Sequence, residues 1–344
     1  MTSARPARPR RGLSHAALAV ALGSVVLAAC SPASDADGEP VRAGTLAAAP
    51  ATLPDAVPTV VDTDLGGDDL VALAYLLRHP GVDVRAITVA TTGLAFHCGT
   101  AVDLVADLLV ALDEPAVPIA CGRPQRGERG TPFPAAWRVV AAEGSGLRRD
   151  AASLPTEPAT AAELLADAAL DADGRLHVVA LGPLTNVAET VRTAPEAWHR
   201  LAGVTAMGGV VEGPAQDHGV GEWNSAADPE ALDVVLAAEG VPVVLVPADA
   251  VPTGTPDALR APVVGDVVAA RTTGTWWDPA AAATFAEPDL ASCDPGTWEQ
   301  DASEPGRLRR TAPDGHVCVR RDIDLDALAR TYAEVLAVDK SAAG

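Results

Sequence analysis

Short runs of β-branched residues alternate with Ala- and Leu-rich stretches from residue 59 onward. The runs 59–62 and 84–90 are largely apolar, as expected for strands that are buried on both faces. Between them, apolar side chains recur over 69–78 at the spacing of one helix face. The alternation continues with predicted helices at 101–112, 161–169, 187–193 and 229–239, and predicted strands at 117–120, 177–181, 204–207 and 243–246. This order, without internal repeats, predicts a single-domain α/β fold with a mostly parallel sheet flanked by helices on both faces.

The first thirty residues have a different pattern. Four arginines within residues 5–11 precede an apolar run over 13–26, which ends in Leu-Ala-Ala-Cys at residues 27–30. The pattern resembles a bacterial lipoprotein signal, which predicts cleavage before Cys30, a lipid on that cysteine and a location on the cell membrane outside the cytoplasm. An ordinary cleaved signal and an uncleaved helical anchor are the alternatives, although the apolar run is short for a membrane-spanning helix.

The chain is therefore predicted to have four parts. Residues 1–29 are the signal, and residues 30–57 are the lipidated cysteine and a flexible tether rich in Ala, Pro, Asp and Gly. Residues 58–338 form the folded domain, and residues 339–344 are a tail. Contact with a membrane is expected through the lipid alone.

Composition and charge narrow the class of protein. Of 344 residues, 48% are hydrophobic and 3% aromatic, so the chain can bury a sizeable core and does not have the composition of a disordered protein. Asp and Glu number 46 against 25 Lys and Arg, which gives a net charge of −21, and Lys340 is the single lysine. A surface this acidic repels phosphate polyanions, so nucleic acid is not expected as a partner.

Beyond Cys30, the cysteines are Cys98, Cys121, Cys293 and Cys318, and an oxidising location would allow three pairings among them. Buried free thiols are the alternative, and the absence of a Cys-x-x-Cys spacing disfavours a thiolate zinc site. Residues 122–158 and 289–314 are rich in turn-forming residues, and we interpret them as insertions of unpredicted structure, the first beside the site. The second is nearly bracketed by two cysteines, which suggests a bridge between Cys293 and Cys318.

The chemistry is expected at the ends of the strands, where parallel sheets bind ligands. Asp62, Asp64, Asp68 and Asp69 crowd one turn between a predicted strand and a predicted helix. Carboxylates this close raise one another's pKa unless a cation binds, and oxygen ligands without His or Cys favour Ca²⁺ or Mg²⁺. The alternative is a solvated turn in which Asp68 or Asp69 caps the helix.

Two further strand ends carry candidate motifs. Residues 180–186 have the sequence Ala-Leu-Gly-Pro-Leu-Thr-Asn, which by itself predicts only a turn. Met207-Gly-Gly ends another predicted strand, and residues 221–230 follow with Gly-Glu-Trp-Asn-Ser-Ala-Ala-Asp-Pro-Glu. Glu222 and Asn224 could hold the hydroxyls of a small ligand, while Asp228-Pro229 starts a helix.

In this order, the acidic turn, the Gly-Pro-Leu-Thr-Asn turn and the Glu-Trp-Asn segment closely resemble the nucleoside hydrolase family over roughly residues 58–338. A further match is Trp-Asp-Pro-Ala at 277–280, where the family has a metal-binding Asp before a helix. Simple capping of that helix is the alternative for Asp278. The combination of motifs is specific, whereas each motif alone is not.

The resemblance implies a Ca²⁺ ion in this site. By position in the family motifs, the ion would be held by Asp64, both oxygens of Asp69, the backbone carbonyl of Leu181 and Asp278, with Asp62 supporting these ligands. Hard oxygen donors of this kind suit Ca²⁺.

The resemblance also implies roles toward the substrate, a small-molecule nucleoside. Asp68, Glu222 and Asn224 would contact the ribose hydroxyls, and Met207 would line the pocket. Asp64 would act as the general base that takes a proton from the attacking water. Positive charge that builds on the sugar ring in the transition state would be stabilised by the surrounding carboxylates.

Four positions depart from the family pattern, and the first is Leu65, where many members have Pro. The family's substrate-binding Asn is replaced by Gly93, which leaves a backbone contact only, and Gln216 is the nearest amide in a loop that lacks the expected Gly-Asn. Trp277 stands where one branch of the family has a His that protonates the leaving base. Either His218 supplies that proton or an indole stacks on the base, and plain packing of the tryptophan is equally consistent.

The sequence thus predicts Ca²⁺-dependent hydrolysis of the N-glycosidic bond of ribonucleosides outside the cytoplasm, giving ribose and free base. A binding lipoprotein of the same fold that has lost catalysis is the alternative, and a homo-oligomer is compatible with either. A phosphatase that uses Asp62 and Asp64 is disfavoured, because such enzymes need a cationic side chain and the single lysine, Lys340, lies in the tail.

Overall fold

The computed structural model describes residues 56–95, 97–143, 154–213, 221–251, 253 and 276–337. The predicted signal, Cys30, nearly all of the tether and the tail lie outside these residues, and so do Gln216 and His218. Within the described part, no helix combines the length and the apolar character needed to cross a membrane.

Eight strands form one sheet in the order β3-β2-β1-β4-β5-β6-β8-β7. The strands are β1 Val57–Thr63, β2 Val82–Val89, β3 Ile119–Cys121, β4 His177–Ala180, β5 Gly203–Met207, β6 Val243–Val246, β7 Ser292–Gln300 and β8 Leu308–Arg321. All neighbours are parallel except β7 and β8. The prediction of a mostly parallel α/β sheet is confirmed, and the carboxyl ends of its central strands lie at one edge.

Helices connect the strands and cover both faces of the sheet. They are α1 Gly67–Arg78, α2 Cys98–Ala111, α3 Ala135–Glu143, α4 Ala161–Asp171, α5 Thr185–Thr193, α6 Pro195–Trp198, α7 Trp223–Ala227, α8 Pro229–Ala237, α9 Trp277–Ala286 and α10 Leu325–Leu336. Successive residues of a strand point to opposite faces, so Val60 and Val178 join one core while Val61 and Val179 join the other. The first core packs against α4, α5 and α8, and the second against α1, α2, α9 and α10.

The predicted insertions turn out to contain regular structure. Residues 122–158 include α3, and residues 289–314 include β7 and the first part of β8, which pair as an antiparallel hairpin at the edge of the sheet. The hairpin escapes a periodicity search because β7 contains Pro295 and Gly296, and its register shifts on either side of Thr297.

Two disulfides are present, and they resolve the three open pairings. Cys98 bonds Cys121, which ties the start of α2 to the end of β3. Cys293 bonds Cys318 across the hairpin, as the position of the two cysteines suggested.

Candidate active site

The acidic turn between β1 and α1 is organised by one of its own carboxylates. Oδ1 of Asp69 accepts hydrogen bonds from the backbone N–H of Asp64 at 3.0 Å and of Leu65 at 3.2 Å, and Oδ2 accepts from Gly66 at 2.9 Å. The Thr63 hydroxyl also donates to this carboxylate. These contacts hold Leu65 at a left-handed φ of 60°, an unusual conformation for a residue with a side chain. Asp69 therefore shapes the turn in addition to facing the cavity.

Asp62 lies near the end of β1, Asp64 directly follows that strand, and both side chains are buried. Asp62 accepts hydrogen bonds from the Thr88 hydroxyl at 2.6 Å and from the Asn186 amide at 2.7 Å. Burial raises the pKa of Asp62 to about 7, against the lowering effect of these two donors. Burial, together with Asp69, also raises the pKa of Asp64, whose Oδ2 accepts the Leu94 backbone N–H at 2.9 Å.

Three carboxylates meet at the mouth of the turn. Oxygens of Asp68, Asp69 and Asp278 lie within 4.8 Å of one another, with Asp68 half-buried and the other two buried. Asp278 comes from the start of α9, more than 200 residues away along the chain, so the sheet and helix packing create this cluster. Burial and Asp69 raise the pKa of Asp68 to about 7, and burial and Asp68 raise the pKa of Asp278 well above its ordinary value.

The cluster suits a hard divalent cation. Oδ1 of Asp278 is buried and has no hydrogen-bond partner among the described residues, an unfavourable state for a carboxylate oxygen. Mutual repulsion of buried carboxylates is relieved by a cation, and carboxylate oxygens are the donors that Ca²⁺ and Mg²⁺ prefer. The structure places Asp68 in this cluster, with Asp64 lining the same cavity. The resemblance, in contrast, implied that Asp68 contacts the ribose hydroxyls.

A second group of predicted residues lies across the same strand ends. Glu222 is the N-cap residue of α7. Its carboxylate accepts hydrogen bonds from the backbone N–H groups of Asn224 at 2.7 Å, Ser225 at 2.9 Å and Gly209 at 2.9 Å. Burial raises the pKa of Glu222, although these donors oppose the shift. The Asn224 amide donates to the Leu181 carbonyl at 2.6 Å. The carbonyl predicted to bind the ion therefore accepts a hydrogen bond here, while its role as an ion ligand stays a prediction.

These residues line one open cavity with an empty volume of about 500 Å³. Its lining residues fall into two chemical sets, which we call its acidic end and its aromatic end. The acidic end is Asp64, Asp68, Asp69, Asp278, Glu222 and Asn224, and the aromatic end is Leu94, Phe133, Trp137, Met207, Trp223 and Trp277. A ligand with a polar, hydroxylated part and a flat apolar part fits this arrangement.

Sequence reasoning missed two of the aromatic side chains. Phe133 and Trp137 lie in and beside α3, and both pack against Trp223, with ring centroids 5.4 Å and 5.2 Å apart. Both residues fall in the stretch 122–158, whose structure was not predicted. The available signal was two aromatic residues close together in a chain with only 3% aromatics. Trp277 is half-buried beside Asp278 and lines the cavity. Stacking of its indole on the leaving base stays a prediction.

Gly93 lies directly against the predicted base. A Cβ atom at this position would fall 2.0 Å from Oδ2 of Asp64, so the residue that departs from the family pattern makes room for the carboxylate. The backbone N–H of the next residue, Leu94, donates to the Asp64 carboxylate, and the backbone contact of Gly93 with substrate stays a prediction.

The fold and the cavity define an α/β protein with an acidic site, able in its donor atoms to hold a cation, at the carboxyl ends of parallel strands. The sequence profile of the inosine-uridine preferring nucleoside hydrolase family matches residues 59–297. The match spans more than half of the chain, and the chain therefore belongs to this family.

Individual relatives agree with this assignment. The pyrimidine-specific ribonucleoside hydrolase RihA of Klebsiella pneumoniae is 32% identical over 211 residues, covering 55% of this chain and 60% of that protein. A protein of the same name from Salmonella schwarzengrund is 30% identical over 203 residues, with the same coverage of 55% and 60%. The chain thus spans less than two thirds of the length of these curated relatives.

Solved structures share the fold at lower identity. The inosine-uridine preferring nucleoside hydrolase of Bacillus anthracis superposes with a TM-score of 0.69 at 22% identity, covering 81% of this chain and 99% of that one. The purine-preferring ribonucleoside hydrolase of Gardnerella vaginalis gives 0.67 at 19% identity, covering 81% and 98%. The eight-stranded, mostly parallel architecture is therefore that of nucleoside hydrolases.

Proposed function

We propose that this chain hydrolyses the N-glycosidic bond of ribonucleosides, releasing ribose and a free base, with the aid of bound Ca²⁺. The observation that carries the proposal is the cavity itself, whose lining combines the converging carboxylates of Asp68, Asp69 and Asp278 with several aromatic rings. A nucleoside presents the same two parts, a hydroxylated sugar and a flat base. The names of the relatives and membership of the family support the same reaction.

The cation would be held by Asp68, Asp69 and Asp278, with Asp64 beside them and the Leu181 carbonyl as a further candidate. When bound, it supplies positive charge that balances the carboxylates and increases the acidity of a nearby water. The unpartnered oxygen of Asp278 is the strongest local sign that this site accepts a cation.

Asp64 is the proposed general base. It lines the cavity beside the carboxylate cluster, where a carboxylate can accept a proton from a water near the cation. The carboxylate takes a proton from water while the water oxygen bonds to the anomeric carbon and the carbon–nitrogen bond breaks. The bonding electron pair leaves with the base nitrogen, which takes a proton from solvent water, and Asp64 afterwards returns the proton that it accepted to solvent. The acidic surroundings stabilise the positive charge that develops on the sugar.

Glu222 and Asn224 are placed to bind the sugar hydroxyls, since both line the acidic end of the cavity and are held by hydrogen bonds to neighbouring backbone. Residues fixed in this way lose little entropy when the substrate binds. The aromatic rings of Trp137, Trp223 and Trp277 are the proposed surface for the base.

The test is release of reducing sugar from a panel of purine and pyrimidine ribonucleosides, with Ca²⁺ and with a chelator. We expect Ca²⁺-dependent release that is lost in Asp64→Ala and retained in Asp167→Ala, a matched change at an exposed position of α4. Nucleoside binding in calorimetry without any turnover would instead favour the catalytically inactive binding protein. Phosphate release from nucleotides that depends on Asp62 would favour a phosphatase.

We also propose that the chain is a lipoprotein held outside the cytoplasm through Cys30. The support is the arginine-rich start, the apolar run and the Leu-Ala-Ala-Cys ending of residues 27–30. The test is incorporation of labelled palmitate into the membrane fraction of expressing cells. We expect labelling of the wild type and its loss in Cys30→Ala.

A further inference from the structure

We propose that Arg138 is a positioning residue for Asp64: it clamps the loop 91–95, whose backbone holds the Asp64 carboxylate. The inference rests on the proposed function, because it assigns a supporting role in the hydrolytic site to a residue that does not face the reacting atoms. Arg138 belongs to α3, a helix whose presence the sequence did not predict.

The loop 91–95 touches Asp64 through its backbone. The Leu94 N–H donates to Oδ2 of Asp64 at 2.9 Å, and the preceding Gly93 N–H closes a turn onto the Ala90 carbonyl at 3.0 Å. A Cβ on Gly93 would lie 2.0 Å from the same carboxylate oxygen. On its other side, a Cβ on Gly182 would lie 2.9 Å from the Asp64 Cβ. Asp64 is thus enclosed between two glycines, and a shift of the loop must move its carboxylate.

Arg138 holds the two ends of this loop together. A single nitrogen, Nη2, donates to the Thr91 carbonyl at 2.9 Å and to the Ala95 carbonyl at 3.0 Å. The side chain is half-buried, so water competes only in part for these bonds. Hydrogen bonds from a charged donor are stronger than neutral ones.

The electrostatics agree with the geometry. Burial and the neighbouring Arg126 lower the pKa of Arg138, whereas Asp64 acts in the opposite direction. The Asp64 carboxylate therefore favours the charged form of Arg138.

Other contacts fasten the same loop to the residue that follows β3 and to the start of α5, but not to α3. The Thr91 hydroxyl donates to the Gly122 carbonyl at 2.9 Å, and the Thr92 hydroxyl pairs with that of Thr185 at 2.8 Å. Arg138 adds the contact to the covering helix, which also carries Trp137 into the cavity. The clamp therefore couples the position of α3, which carries Trp137, to the orientation of the Asp64 carboxylate.

The decisive variants are Arg138→Met, which removes both hydrogen bonds, and Arg138→Lys, which keeps one cationic nitrogen able to bridge both carbonyls. Arg85→Met, an exposed arginine paired with Asp83, is the matched control. We expect kcat for sugar release to fall about tenfold in Arg138→Met with KM within twofold of the wild type. Most of the loss should be recovered in Arg138→Lys, and Arg85→Met should be silent.

A second variant tests whether the effect passes through Asp64. Gly93→Ala displaces the carboxylate directly, so combining it with Arg138→Met should lower kcat by clearly less than the product of the two single effects. Independent effects that multiply fully would overturn the proposed route.

Hydrogen–deuterium exchange of the peptide that contains Gly93 and Leu94 gives a readout without turnover. We expect exchange there to quicken at least tenfold in Arg138→Met, with the melting temperature little changed, and to return towards wild type in Arg138→Lys. Unchanged exchange and unchanged kcat in an active protein would overturn the clamp. A wild type without activity would overturn the proposed function, and faster exchange in its Arg138→Met variant would still support the clamp.

Discussion

The two ends of the cavity are built in different ways. Half of the acidic end, namely Asp64, Asp68 and Asp69, comes from one turn that follows β1 and is shaped by contacts inside the turn itself. The aromatic end is assembled from α3, α7 and α9, which are separated by many residues along the chain. The first depends on local sequence, and the second on how distant segments pack. The difference suggests that the acidic end governs cation binding and the aromatic end substrate binding.

Long-range contacts hold the segment 127–131, which precedes Phe133 and α3, against α7 and α8. The backbone N–H of Thr131 donates to the Ala226 carbonyl at 2.7 Å, and that of Gly127 donates to the Asp228 carboxylate at 3.2 Å. Arg129 forms an ion pair with Glu230 at 3.1 Å. Each contact joins residues about 100 positions apart, so the position of this segment depends on that of α7 and α8.

The largest effect is expected at the acidic end. Asp278→Asn should lower kcat/KM for nucleoside hydrolysis about a thousandfold, because it weakens a cation site that contributes several kcal/mol. The melting temperature in chelator should not fall, since the change removes one of several mutually repelling buried carboxylates. Sugar release, Ca²⁺ titration calorimetry and thermal melts measure these three quantities.

Asp289→Asn makes the same chemical change at an exposed position just after α9 and should leave all three unchanged. An Asp278→Asn protein that keeps its Ca²⁺ affinity would show that the cluster is not the cation site.

A smaller effect is expected at the aromatic end. Trp137→Ala should raise KM for nucleosides about tenfold with Ca²⁺ affinity unchanged, because stacking of a base on an aromatic ring contributes roughly 1–3 kcal/mol. The side chain is 42% exposed, so folding should tolerate the change. Val140→Ala, on the same helix and 58% exposed, is the control. Equal losses of Ca²⁺ and substrate affinity would contradict the division between the two ends.

The smallest effect concerns pH and stability. Because the pKa of Asp68 is raised to about 7, the folded protein without cation holds a proton that the unfolded chain has released. Its stability should therefore fall between about pH 4 and pH 7 and level off above that. Melting temperatures in chelator should decline by a few degrees more in the wild type than in Asp68→Asn over this range. Saturating Ca²⁺ should abolish the difference near pH 7.5, and parallel curves in chelator would contradict the raised pKa.

Much of the framework could be predicted from the sequence. The periodicity located strands β1 to β6 and helices α1, α2, α4, α5 and α8 to within a few residues, because each is apolar in a pattern that its own burial requires. The hairpin of β7 and β8 was not predicted, since Gly296 and the register shifts around Thr297 break the alternation. Helix α3 was also missed, because its exposed Val139 and Val140 obscure an amphipathic pattern.

The candidate site likewise has one part that the sequence predicted and another that only the tertiary structure brings together. Crowded carboxylates beside glycines at a strand end indicate a cation site from sequence alone, because their repulsion and their spacing are local properties. The meeting of Asp278 with Asp68, the aromatic cover, and the clamp from Arg138 to the loop beside Asp64 depend on tertiary structure. They depend on it because each joins segments whose distance is set only when helices from separate parts of the chain pack on the sheet. The sequence by itself therefore determined the chemistry of the strand ends, and the packing of the helices decided what faces it.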